Sequence, residues 1–204
     1  IQLTNIPEFV ENAIYTLTIN GIDRAGNKAL ETIILGVEYD FTPPQLTWDS
    51  PMSGDAVNHK KISFSNSELL KSGIVTWTWL SGVRDIDSVH TMQLYDQELN
   101  AGSFGPSSIA NAPPLVDGGI YAISYSAFDP AGNESNLIKI EDILYDITQP
   151  QIILSYPLAR SISKTSAVTY SLSETLYEGE FKWMWLGGVN DSFAPYTAIL
   201  TDEE

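Results

Sequence analysis

Apolar and polar residues alternate along much of this chain, and a period of two predicts strands. In residues 61–67, Ile62 and Phe64 alternate with Ser63 and Ser65; in residues 119–127, Tyr121, Ile123 and Tyr125 alternate with Ala122, Ser124 and Ser126. Successive side chains of a strand point to opposite faces, so each pattern makes one apolar face and one polar face. Clusters of Gly, Pro, Asn and Asp recur at short intervals, and no stretch keeps a helical spacing. The fold class this predicts is all-β.

Residues 73–79 sharpen the picture. Val75, Trp77 and Trp79 share one face of a strand, while Thr76 and Thr78 share the other. A central strand with two indoles on one face is expected to press them against an opposing sheet. The alternative, a platform that stacks sugars, is weaker because the neighbours on that face are apolar.

The chain also repeats itself. Residues 15–27 (Tyr15 to Asp23-Arg-Ala-Gly-Asn27) recur as residues 121–133 (Tyr121 to Asp129-Pro-Ala-Gly-Asn133), an offset of 129 − 23 = 106. The same offset carries Tyr39-Asp40 onto Tyr145-Asp146, Ser67-Glu68 onto Ser173-Glu174, and Trp77 and Trp79 onto Trp183 and Trp185. It also carries Gly82-Val83 onto Gly188-Val189 and Asp85 onto Asp191, without a gap. A period of about 106 residues suits one sandwich domain, not a short solenoid unit. Asp-x-Ala-Gly-Asn is turn chemistry, with Asp opening a type I turn and Gly supplying a positive φ. Asp-x-Thr-x-Pro, at Asp40 and Asp146, reads as a strand end and linker.

These marks divide the chain into residues 1–42, the last strands (E to G) of one repeat; 43–148, a complete repeat; and 149–204, the first strands (A to D) of a further one. The opening Ile1-Gln2-Leu3-Thr4 reads as the interior of a longer chain. Residues 99–106 read as a flexible loop before strand E. Neither partial repeat can bury its apolar face alone. The expectation is that they complete one another between copies of the chain, end to end, as in donor-strand complementation; such a heterologous contact propagates as a filament.

The runs Ser-x-Ser-Glu-x-Leu-x-x-Gly (from Ser65 and Ser171), Trp-x-Trp and Gly-Val-x-Asp recur in both copies. They are followed by Leu-Asn-Ala-Gly (from Leu99), Asn-Ala-Pro-x-Leu-Val-Asp-Gly-x-Ile-Tyr (from Asn111), Asp-x-Ala-Gly-Asn and Tyr-Asp-x-Thr-x-Pro. Together they resemble the bacterial immunoglobulin-like repeats of very long secreted or cell-surface proteins, including adhesin stalks. The resemblance implies tandem immunoglobulin-like β-sandwich repeats, an extracellular location and a structural or adhesive role. A carbohydrate- or protein-binding module is the alternative, with Tyr156, Tyr177 or Tyr196 facing a surface glycan or protein.

Charge narrows the partners. Asp and Glu number 26 against 10 Lys and Arg, a formal net charge of -16. Such a surface repels nucleic-acid phosphates and anionic lipid and attracts divalent cations. No apolar run approaches membrane-spanning length, so no membrane insertion is expected. With no cysteine, stability has to come from packing. In a sandwich of this topology Asp40, Glu68 and Asp129, with Asn133 nearby, gather at the N-terminal pole; Asp85, Asp87 and Asp146 gather at the other. Carboxylates at domain junctions are candidate calcium ligands, and turn capping is the competing role for Asp129 and Glu68. His59 and His90 align with Thr165 and Tyr196, so neither marks a repeated ligand set. No nucleophile elbow or phosphate-cradling loop is present, and an enzyme is not expected.

Overall fold

The computed structural model describes residues 7–108, 112 and 114–200. The opening Ile1 to Thr4, Asn111 and Pro113 of the Asn-Ala-Pro run, and the closing Asp202-Glu203-Glu204 lie outside the described residues. The chain divides into two compact units, Ile1–Ile147 and Thr148–Glu204. Both are built of strands.

In the first unit, β1 (Ala13–Ile19) and β2 (Thr32–Tyr39) form an antiparallel hairpin. Then follow β3 (Leu46–Ser50), β4 (Ala56–Val57), β5 (Lys61–Asn66), β6 (Ser72–Gly82) and β7 (His90–Gln93). A single 3-10 turn at Asp96–Leu99 leads to β8 (Gly102–Ser108), β9 (Gly119–Phe128) and β10 (Ile138–Tyr145). These strands make two sheets, β3-β5-β8 and β4-β10-β9-β6-β7. All pairings are antiparallel except β4 with β10, where Leu144 and Tyr145 lie beside Ala56 and Val57 in parallel.

The two sheets enclose one core. Ile62 and Phe64 come from β5, Val75 and Trp77 from β6, Tyr121, Ile123 and Tyr125 from β9, and Ile143 from β10; all are fully buried. Except for Ile143, they are the every-second-residue sets that the alternation marked. The Phe64 ring crosses between the sheets to meet the Tyr125 edge at 5.2 Å, and Trp77 meets Tyr121 edge-on at 6.2 Å. Burying each such side chain contributes about 1.5–3 kcal/mol. Trp77 is a core residue, with Thr76 and Thr78 half-buried on the opposite face. Trp79 packs at the core's margin, its indole N–H donating to the Val83 carbonyl at 3.0 Å.

The segment expected to be a flexible loop is ordered differently. Residues 102–106 belong to β8, the third strand of the smaller sheet, paired along β5 from Asn66–Gly102 to Lys61–Ser108. Its glycines and proline disguise it in the sequence. Gly105 has φ 104° and lies so close to the Ile62 carbonyl that a Cβ would stand 2.3 Å from that oxygen. Phe104 stacks on Phe64 at 5.3 Å, which fixes the strand to the core. Behind it, Asn66 Nδ2 donates to the carbonyls of Glu98 and Asn100, and Tyr125 donates to Asn66 Oδ1 at 2.6 Å.

The second unit holds two antiparallel hairpins. One is β11 (Ile152–Tyr156) with β12 (Thr169–Leu172); the other is β13 (Gly179–Trp183) with β14 (Tyr196–Leu200). Their registers match the first unit pair for pair at the 106-residue offset. Ile152 faces Leu172 as Leu46 faces Asn66, and Trp183 faces Tyr196 as Trp77 faces His90. The β1–β2 hairpin does the same: Tyr15 faces Val37 as Tyr121 faces Ile143, and each hairpin carries its irregularity at the same place, after Tyr15 and before Ile143 in the corresponding strands.

Candidate functional site

The two Asp-x-Ala-Gly-Asn turns have one construction. Asp129 Oδ1 accepts the N–H groups of Gly132 (2.7 Å) and Asn133 (2.9 Å), and Asn133 Nδ2 donates to Asp129 Oδ2 at 2.7 Å. In the earlier copy Asp23 Oδ1 accepts from Ala25 and Asn27, and Asn27 Nδ2 donates to Asp23 Oδ2 at 2.8 Å. Gly26 and Gly132 supply φ values of 91° and 97°. Burial raises the pKa of Asp129, but the Asn133 side chain and the turn's N–H groups outweigh it and hold the carboxyl below its ordinary range. The turn closes equally at exposed Asp23 and buried Asp129. Turn capping is therefore intrinsic to the motif.

At the junction between residues 1–42 and the complete sandwich, Asp40, Glu68 and Asp129 converge, with one carboxylate oxygen from each within 4.8 Å of the others. Asp40 leaves the end of β2, Glu68 follows β5, and Asp129 follows β9. Asn133 joins them by donating from Nδ2 to the Asp40 carbonyl at 3.2 Å. Glu68 has no hydrogen-bond partner among the described residues. Burial, then the charges of Asp40, Asp129 and Glu11, push its pKa up. Oxygens bound to one calcium ion at about 2.4 Å lie within about 5 Å of each other, so the spacing and the hard donors fit that ion. Asp129 brings oxygens already accepting three N–H groups. Glu68 brings an uncompensated charge.

Glu11 escaped the sequence reading. Its carboxylate accepts the Thr42 hydroxyl at 2.6 Å and the Phe41 N–H at 3.0 Å, tying the linker back to the hairpin it leaves. One period on, Asp117 Oδ1 accepts the Ile147 N–H at 2.8 Å. The carboxylate recurs, but as Glu in one copy and Asp in the other.

The other pole is built otherwise. Asp85 is buried, and its Oδ2 lies 2.7 Å from His90 Nε2 and accepts the Tyr121 hydroxyl at 2.7 Å; Oδ1 accepts the Asp87 N–H. Burial raises the Asp85 pKa, but these partners prevail and lower it. Tyr121 also accepts the Val116 N–H at 2.8 Å, a tyrosine corner at the start of β9. Asp85 thus serves a buried internal network, and the metal-type cluster among the described residues does not include Asp85 or Asp146. The Asp146 N–H donates to Val57. In the second unit Tyr196 replaces His90 and reaches Asp191 Oδ1 with its hydroxyl at 3.2 Å. A phenol stands in for an imidazole.

The same positions differ sharply in burial between copies. Leu17 is 47% exposed where Ile123 is 0%, and Trp183 is 36% exposed where Trp77 is 0%. Ile152 is 54% exposed against 5% for Leu46. Within the second unit a cavity of about 700 Å³ is lined by Trp183, Trp185, Asp191 and Tyr196, among others. In the complete sandwich Tyr121 touches the equivalents of two of these, Trp77 and Asp85.

No protein-family model matches the chain, and a search of curated proteins finds no similar sequence.

Proposed function

We propose that the chain is a structural segment of an extracellular bacterial surface protein or fibre, an adhesin-type stalk made of successive immunoglobulin-like sandwiches. Its work is to set length and stiffness, and it transforms no substrate. The observation that carries this reading is the register: three hairpins outside the complete sandwich repeat its strand pairs, residue for residue, at a spacing of 106. One sandwich written repeatedly is the design of an array. The Glu11 and Asp117 tethers support stiffness, since each binds a linker to the strands it leaves. A calcium ion held by Asp40, Glu68 and Asp129 adds to it by neutralising three acids at a junction.

Binding of glycan through exposed aromatics has less support. Trp183 and Tyr196 hold the places of Trp77 and His90, which are buried in the complete sandwich, so their register marks them as core positions and not as a binding platform. Two experiments test the proposal. Residues 43–148 alone should unfold in one cooperative transition. Antibody raised against the chain should label intact bacteria from outside. A 43–148 polypeptide without cooperative unfolding, or labelling only after lysis, rejects it.

A further inference from the structure

We propose that Asp129–Pro130 is a scission point of the chain, a peptide bond that its own turn guards while the sandwich is folded and that hydrolyses through the Asp129 carboxylate once the turn opens in acid.

Among the peptide bonds of the sequence this is the one that joins aspartate to proline. Both residues bear on its chemistry. An aspartate carboxylate reaches its own backbone carbonyl carbon through a five-membered ring, so the nucleophile is built into the residue. Proline makes the departing nitrogen that of a tertiary amide, with a ring in place of the N–H and greater basicity than an ordinary peptide nitrogen. An Asp129 carboxylate oxygen bonds to the Asp129 carbonyl carbon and closes a cyclic anhydride. The bond from that carbon to the Pro130 nitrogen breaks; its electron pair stays on nitrogen, which takes a proton from solvent. Water then opens the anhydride and leaves Asp129 with its side-chain carboxyl and a new terminal one. The sum is one peptide bond hydrolysed by one water.

The turn brings the reacting groups together and keeps them from reacting. The Gly132 N–H is shared between Asp129 Oδ1 at 2.7 Å and the Asp129 carbonyl oxygen at 3.2 Å, so carboxylate and carbonyl lie side by side. The carboxylate is committed elsewhere, however: Oδ1 also accepts the Asn133 N–H, and Oδ2 accepts from Asn133 Nδ2. An oxygen that moves onto the carbonyl carbon abandons these donors at a residue that is 0% exposed. The same burial keeps water from the anhydride. Around Asp129 stand the carboxylates of Asp40 and Glu68, each with an oxygen within 4.8 Å, and no ion pair reaches it among the described residues. Acid that protonates Asp129 takes the acceptor from the turn's donors and opens it. In the opened chain the carboxyl returns to its ordinary range, where part of it stays ionised while acid supplies the proline nitrogen. Asp23 makes the same turn with Arg24 in the place of proline, so that copy has the nucleophile without the better leaving group. A cut at Asp129 parts β9 from β10 and breaks the covalent path through the sandwich.

The full chain is held at a mildly acid pH at which near-ultraviolet circular dichroism shows the sandwich folded, and at the same pH in urea that unfolds it. Intact mass spectrometry reads the products. In urea the chain should yield residues 1–129 and 130–204, with the bond after Asp23 uncut. Folded, it should be cut at least about a hundredfold more slowly, since opening the turn gives up at least two hydrogen bonds to a carboxylate. Pro130→Arg, which takes the residue of the earlier copy, should abolish the cut in urea, where folding plays no part. Asn133→Ala removes the Oδ2 donor and should speed cutting of the folded chain by about tenfold or more without changing the rate in urea. An uncut chain in urea, products from another bond, or a Pro130→Arg chain cut at the same place overturns the scission point. Equal rates with and without urea, or folded Asn133→Ala cut no faster than the parent, overturn the guard.

Discussion

The Tyr121 hydroxyl donates to Asp85 Oδ2 at 2.7 Å while accepting the Val116 N–H, and so ties the start of β9 to the loop between β6 and β7. Burial pushes the Tyr121 pKa up to about 12, which keeps the phenol a proton donor throughout the neutral range. Tyr121→Phe strands the Val116 N–H and removes one of the partners of Asp85. The expected cost is about 1–3 kcal/mol, read from urea denaturation of the full chain followed by tryptophan fluorescence.

Acid should weaken the complete sandwich through Asp85 and Asp129. Both carboxyls have folded pKa values below their ordinary ones, so the folded state holds fewer protons than the unfolded state as the carboxylates titrate. Their contribution is present above the ordinary carboxylate range and is lost as pH falls through the folded values. Asp129→Asn and Asp85→Asn should each flatten the fall in thermal midpoint below that range; profiles parallel to the parent chain's would contradict it.

Equivalent tryptophans should behave differently. Trp77→Ala empties a fully buried site and should cost about 3–5 kcal/mol in denaturant unfolding of the sandwich. Trp183→Ala, at a half-exposed position, should leave that transition unmoved.

Burial, then the charges of Asp40, Asp129 and Glu11, raise the Glu68 pKa, so ionising this carboxyl costs more in the folded chain than in the unfolded one. Glu68→Gln should raise the thermal midpoint in chelator. Calcium should raise the midpoint of the unmodified chain by stabilising the folded state in proportion to occupancy, and Glu68→Gln should lose most of that response. Differential scanning calorimetry across a calcium series reads both effects.

Much of the fold was legible because sandwich strands keep a strict alternation, and Ile62, Phe64, Trp77 and Ile123 mark the core without further help. The Asp129 turn was legible from local chemistry alone. The convergence of Asp40, Glu68 and Asp129 followed from strand order, because the ends of β2, β5 and β9 belong to one pole. The Asp85–His90 pair was hidden by the comparison of copies: His90 becomes Tyr196, and only the geometry reveals that either ring can meet the same carboxylate. The β8 strand was hidden by Gly102, Gly105 and Pro106, which look like a loop until Phe104 is seen stacked on Phe64. The Glu11 tether depends on a contact 30 residues away in sequence, beyond the reach of any local pattern.

The parallel pairing of β4 with β10 has a mechanical consequence. The chain enters the complete sandwich through β3, continues into β4 and leaves at β10; once β3 is drawn off β5, the load falls on β4 and β10, which run the same way. Tension applied at the two ends therefore drags them in opposite senses along their length. The bonds from Leu144 to Asp55 and from Asp146 to Val57 are loaded together in shear, not peeled in succession. A sandwich pulled in this direction yields abruptly at a threshold force, and a stretched row of them lengthens in discrete steps, one per domain.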